Sequence, residues 1–99
     1  MKIFKEGNRV IIHAPKTLGF DLRNEFRTVL SDYPTGTSYE MDLQMVEKID
    51  SAGLGMLLLL KEHAQLKNNT ASNVVLRNAQ PEVLKLLRLV NFHQLFTIL

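Results

Sequence analysis

Asp50 and Ser51 place a carboxylate directly before a hydroxyl, and Gly53 and Gly55 follow within four residues. A serine oxygen can cap a helix, attack an electrophile beside a base, or carry a phosphoryl group. The surrounding stretch, VEKIDSAGLGMLLLLKEHA from Val46 to Ala64, passes from a strand-like segment to a helical one at this serine. Ser51 is well placed as the N-cap, its oxygen accepting from free N–H groups of the first turn. The glycines let the backbone turn tightly and leave the hydroxyl uncrowded. Those N–H groups, with the helix dipole, also suit an anion such as a phosphate on the serine. On spacing alone the plainer role, a structural cap, stands first.

Other chemistries find less support. There is no cysteine, which removes disulfides, thiolate catalysis and cysteine metal sites. A serine hydrolase needs a Gly-x-Ser-x-Gly elbow and a phosphate loop needs Gly-x4-Gly-Lys-Ser/Thr; neither occurs. His13, His63 and His93 are far apart in sequence. His63 falls on the apolar side of its helix and reads as a packed imidazole, and His93 follows a helix exit where a positive group suits the dipole. Asp42, Glu47 and Asp50 are scattered by strand alternation, so they make a poor metal set. Arg77, Lys85 and Arg88 lack interleaved aromatics and read as a solvated face rather than an RNA grip. No enzyme activity and no cofactor are expected.

The elements that must position Ser51 are legible as patterns. KIFKE and RVIIH flank Gly7-Asn8 and predict an opening hairpin. APKTLG reads as a loop. Leu22, Phe26, Val29, Leu30 and Tyr33 form a helical stripe that Pro34, Thr35 and Gly36 stop. SYEMDLQMV alternates as a strand, and the helix from Asp50 is closed by Asn68-Asn69. NVVLRN predicts a strand, Pro81 opens a helix carrying Val83, Leu84, Leu87 and Val90, and HQLFTIL predicts a last strand. The order is β-β-α-β-α-β-α-β. It implies an α/β fold with a mixed sheet covered by helices, since strand–helix–strand crossovers favour parallel neighbours.

Ninety-nine residues, 45% hydrophobic and 22% charged, suit one domain over residues 1–99 with a single core. The net charge of +2 is spread without a like-charge block, so no nucleic-acid partner is implied. The start MKIFKEGNRVIIH alternates too soon for a signal peptide, and no apolar run nears the roughly 18 residues of a membrane span. A cytoplasmic monomer without membrane association is the default expectation.

In the second long helix, Lys61, Glu62 and Gln65 define a polar sector at about 100° per residue. Leu54 and Leu58 project into it, while Met56, Leu57, Leu60 and Ala64 point toward the sheet. Two leucines are therefore expected near the surface beside Ser51. They are either scattered exposed apolar residues or part of a docking surface.

The stretch MDLQMVEKIDSAGLGMLLLL resembles the signature of STAS domains, and specifically of bacterial anti-sigma factor antagonists. The hairpin start, the helix PEVLKLLRLVNF and the closing LFTI fall where that family places them, so the resemblance covers nearly the whole chain. Asp50 matches the family's aspartate, Ser51 its phosphorylated serine, and Gly53, Leu54 and Gly55 its Gly-Leu-Gly. Ala52 stands where many members have a second serine or threonine. The family's Gly-x-Leu-Asp-like element before the first helix is replaced by KTLGFDLRNEF, where Asp21 stands in for the aspartate.

The resemblance implies phosphorylation at Ser51, with Asp50, Ser51, Ala52, Gly53, Leu54, Gly55, Leu58 and Asp21 contacting a partner. That partner is an anti-sigma factor that is also an ATP-dependent serine kinase. A metal-dependent serine phosphatase restores the hydroxyl. The alternative within the family is a STAS subunit of a lipid-transport ATPase complex or a stress-sensing assembly, without regulated phosphorylation.

Overall fold

The computed structural model describes residues 1–65 and 74–99. Lys2–Glu6 (β1) and Arg9–His13 (β2) pair antiparallel, with Glu6 opposite Arg9. The turn between them uses Gly7 at φ 62°, a left-handed conformation that glycine adopts without steric cost. Thr17–Leu18 (β3) leads to a 3₁₀ turn at Phe20–Leu22 and then to the first α-helix, Arg23–Asp32 (α1). Ser38–Asp42 (β4) and Lys48–Ile49 (β5) precede the second helix, Ser51–Ala64 (α2). Val74–Arg77 (β6), Pro81–Leu89 (α3) and Thr97–Ile98 (β7) complete the chain.

The main sheet is mixed, in the order β1-β2-β4-β6-β7, and every pairing after the hairpin is parallel. One face is fully buried through Val10, Ile12, Tyr39, Met41, Val74 and Leu76, alternate residues on neighbouring strands. Phe26 and Val29 of α1, Leu57 and Leu60 of α2, and Val83 and Leu87 of α3 join them in one core. Burying a leucine of this kind contributes about 1.5–3 kcal/mol. The three helices and five-stranded mixed sheet match the expected order. Each helix follows a strand that has a parallel partner: α1 follows β3, α2 follows β5 and α3 follows β6.

Four local expectations are corrected. The loop APKTLG contains β3, which pairs parallel with β5 through Thr17–Lys48 and Leu18–Ile49; two residues are too few to show a period. The strand expected through Val46 ends at Asp42. There the Asp42 carboxylate accepts from the Gln44 N–H at 2.9 Å, and this local bond turns the chain out of the sheet. Met45 is consequently exposed and Val46 is buried. The last segment pairs only over Thr97–Ile98, because a 3₁₀ turn at Phe92–Gln94 precedes it. Helix α2 ends at Ala64, and the expected closure at Asn68-Asn69 lies outside the described residues.

Candidate functional site

Ser51 is not the cap of α2. Asp50 is: its backbone is extended, at φ −93° and ψ −179°, and Oδ1 accepts from the Gly53 N–H at 2.8 Å. Oδ2 accepts from the Phe20 N–H at 3.3 Å, thirty residues away in sequence. The Asp50 N–H donates to the Leu18 carbonyl at 3.3 Å. One residue thus ties β3, the Phe20 turn and the start of α2 together. Hydrogen bonds from the Gly53 N–H first, then from those of Phe20 and Ala52, lower the carboxyl pKa below its ordinary 3.8.

Two glycines make this junction possible. A Cβ on Gly53 would land on the Leu18 carbonyl and 2.9 Å from Ile49 Cγ2. A Cβ on Gly19 would stand 2.8 Å from Asp50 Cγ. Gly55 differs, since a Cβ there meets nothing within 4 Å.

With the cap supplied by Asp50, Ser51 is the first residue of α2 and is exposed. Its side chain makes no hydrogen bond among the described residues. At about 100° per residue, Ser51, Gly55, Leu58 and Glu62 lie along one outward ridge. Leu58 is 43% exposed and Leu59 beside it 51%. Leu54 is half-buried and leans on the core, so the second outward leucine is Leu59 rather than Leu54. Met56, Leu57, Leu60 and Ala64 point inward as expected.

Phe20, 56% exposed, lies next to the site because its N–H is held by Asp50. The Arg23 guanidinium stacks 3.9 Å from its ring centroid. Phe20 stands outside the stripe of Leu22, Phe26, Val29 and Leu30, since its spacing from Phe26 sets it about 120° away, and helical periodicity therefore gives no signal that it lies at the site. Asp21 is exposed in the same turn.

These features can be compared with known proteins. The family described as Mlab, STAS domain, matches residues 18–99. A STAS-domain containing protein of Pseudomonas aeruginosa (strain UCBPP-PA14) is 36% identical over 94 residues, 94% of this chain and 90% of that one. The chain belongs to the STAS-domain family. Its fold is similar to that of the anti-sigma factor antagonist SpoIIAA in its unphosphorylated form, with a TM-score of 0.73. That likeness covers 99% of this chain and 86% of the other at 17% identity.

Within this STAS domain the motif residues Asp50, Ser51, Ala52, Gly53, Leu54 and Gly55 meet at the start of α2, and Asp21 reaches the same end through the Phe20–Asp50 bond. The histidines do not join them. His63 lies twelve residues along α2, about 18 Å of helix rise from Ser51, with Nε2 2.8 Å from the Tyr33 carbonyl. His13 Nδ1 faces the Asp42 carboxylate at 3.4 Å. Asp42 is engaged there and Asp50 with backbone N–H groups, so Asp42, Glu47 and Asp50 do not converge. No helix is long and apolar enough to cross a membrane among the described residues.

Proposed function

We propose that this chain is an anti-sigma factor antagonist, a binding module without catalytic activity that is switched by phosphorylation of Ser51. One observation carries the reading: Asp50 caps α2, so the Ser51 hydroxyl stands exposed at the helix start with no structural duty. Unmodified, the Ser51, Gly55 and Leu58 part of the ridge, with Leu59 beside it, packs against an anti-sigma factor that is also a serine kinase, and the sigma factor is freed. The kinase transfers the γ-phosphoryl of ATP to the serine oxygen and leaves ADP. A metal-dependent phosphatase later hydrolyses the ester.

The switch is electrostatic. Phosphorylation adds roughly −1.5 to −2 charges beside Asp50. In the free protein the dipole of α2 and water stabilise that charge. Docking on the leucine ridge strips the water away, and each ~1.4 kcal/mol of lost interaction is a tenfold loss of affinity. No refolding is required.

The test is labelling by candidate kinase and ATP, with folding checked by circular dichroism. The native chain takes up one phosphate and Ser51→Ala takes up none; equal labelling of the variant refutes the assignment. Ser51→Asp binds the kinase at least tenfold more weakly than the native chain.

A second reading, a STAS subunit of another assembly, is favoured by the Mlab description of the matching family. Affinity purification separates the two. A kinase-like partner that exchanges with a sigma factor supports the first, and a transport ATPase supports the second.

A further inference from the structure

Between the β3–β5 ladder and the first turns of α3, a groove of about 490 Å³ is lined by Glu47, Lys48, Ile49, Asp50, Glu82, Val83 and Leu86. Ile49, Val83 and Leu86 supply apolar surface. Three carboxylates and one lysine line the groove of a chain whose net charge is +2. No ion pair engages Glu47 or Glu82 among the described residues, whereas Glu25, Glu40 and Asp42 elsewhere each have a cationic or imidazole partner. The Asp50 carboxylate is bonded only by backbone N–H groups, those of Gly53, Phe20 and Ala52, so no cationic side chain offsets its charge among the described residues. Asp50 and Glu82 also complement the helix dipoles they adjoin, but Glu47 precedes β5 and has no helix to complement.

We infer that this groove holds a short apolar segment of a protein partner that carries a lysine or arginine. Its aliphatic side chains fill the space over Ile49, Val83 and Leu86, and its cation lies among Glu47, Asp50 and Glu82. The groove and the leucine ridge flank the Asp50–Ser51 junction and respond oppositely to added charge. A negative group at Ser51 opposes apolar docking on the ridge and does not oppose a cation in the groove. One modification would then favour one partner segment over another.

The experiment uses the full chain with isotope-labelled methyl groups and two synthetic 12-residue peptides, one of leucine and lysine and one of leucine and glutamate. The leucine–lysine peptide is expected to shift the Ile49, Val83 and Leu86 resonances, and the leucine–glutamate peptide to bind at least tenfold more weakly. Replacing both rim glutamates, E47Q with E82Q, is expected to weaken the first peptide at least fivefold while the amide spectrum stays native. Ser51→Asp is expected to leave that binding unchanged or tighter. Equal binding of the two peptides, or shifts confined to Leu58 and Leu59, overturns the inference. Failure of Ser51 labelling would sink the proposed function and leave this result standing, so the two fail separately.

Discussion

Asp50 and Ser51 are both strong capping types, and what separates them is backbone conformation: Asp50 is extended and Ser51 is already helical. The extended backbone of Asp50 is held by the Leu18 carbonyl, and its carboxylate by N–H groups of Gly53 and Phe20. These bonds favour the ionised form, so the folded pKa lies below the unfolded value. The stabilisation is therefore complete above the ordinary value of 3.8 and is lost as pH falls through the lower folded value. Asp50→Asn keeps a neutral capping oxygen and removes the charge. The urea midpoint of the native chain is expected to exceed that of Asp50→Asn above about pH 5, and the gap to close as pH falls below 3.8. A gap that persists undiminished at pH 2 would assign the difference to shape rather than charge. The sequence carried the junction's position but not its cap, because the deciding partners are about thirty residues away.

At the scale of α2, two glycines of one motif answer to opposite constraints. Gly53 is buried where β3 crosses the helix start, and a Cβ there would overlap backbone that has nowhere to move. Gly53→Ala is expected to cost about 1–3 kcal/mol, as overpacking does. Gly55 faces open space, so Ala there gains about 0.5–1 kcal/mol of helix stability. The chain thus keeps a destabilising residue on the ridge between Ser51 and Leu58. The proposed docking surface would account for it, by close approach of a partner: on that proposal, Gly55→Ala is expected to raise the urea midpoint and weaken binding of the proposed partner together. A variant that is stabler and binds equally well would remove Gly55 from the docking surface. The motif announced both glycines, and periodicity found the inward face of Met56, Leu57, Leu60 and Ala64. Periodicity could not see that Leu54 is covered and Leu59 is not, since that depends on neighbouring elements. The two-residue strands β3 and β5 were illegible for a similar reason: their identity lies in pairing with each other.

For the whole molecule, the sheet is the unusual layer. Parallel strands are generally covered on both faces and read as continuous apolar runs. Here Ser38–Asp42 reads SYEMD, and that alternation already carries one-sided burial. The face opposite the core presents Phe4, Ile11, Glu40 and Val75 in one row across β1, β2, β4 and β6. Glu40 lies between two arginines, its Oε1 3.3 Å from both Arg9 Nη1 and Arg77 Nε. Its side chain is only 14% exposed, so the arginines act as a charged cover that spares this face a helix. Cross-strand pairs of this kind contribute roughly 0.2–1 kcal/mol each. Glu40→Gln removes both pairs and leaves two cations facing each other across β4, an expected loss of about 0.5–2 kcal/mol. For a domain of this size each kcal/mol lowers Tm by about 4–8 °C. At 1 M salt the Debye length shrinks to about 3 Å, which weakens both the lost attraction and the new repulsion. The Tm deficit of Glu40→Gln should therefore narrow in high salt. A deficit that is the same at 0.05 M and 1 M salt would locate the effect in packing of the side chain, and the charged-cover account of the bare face would fall.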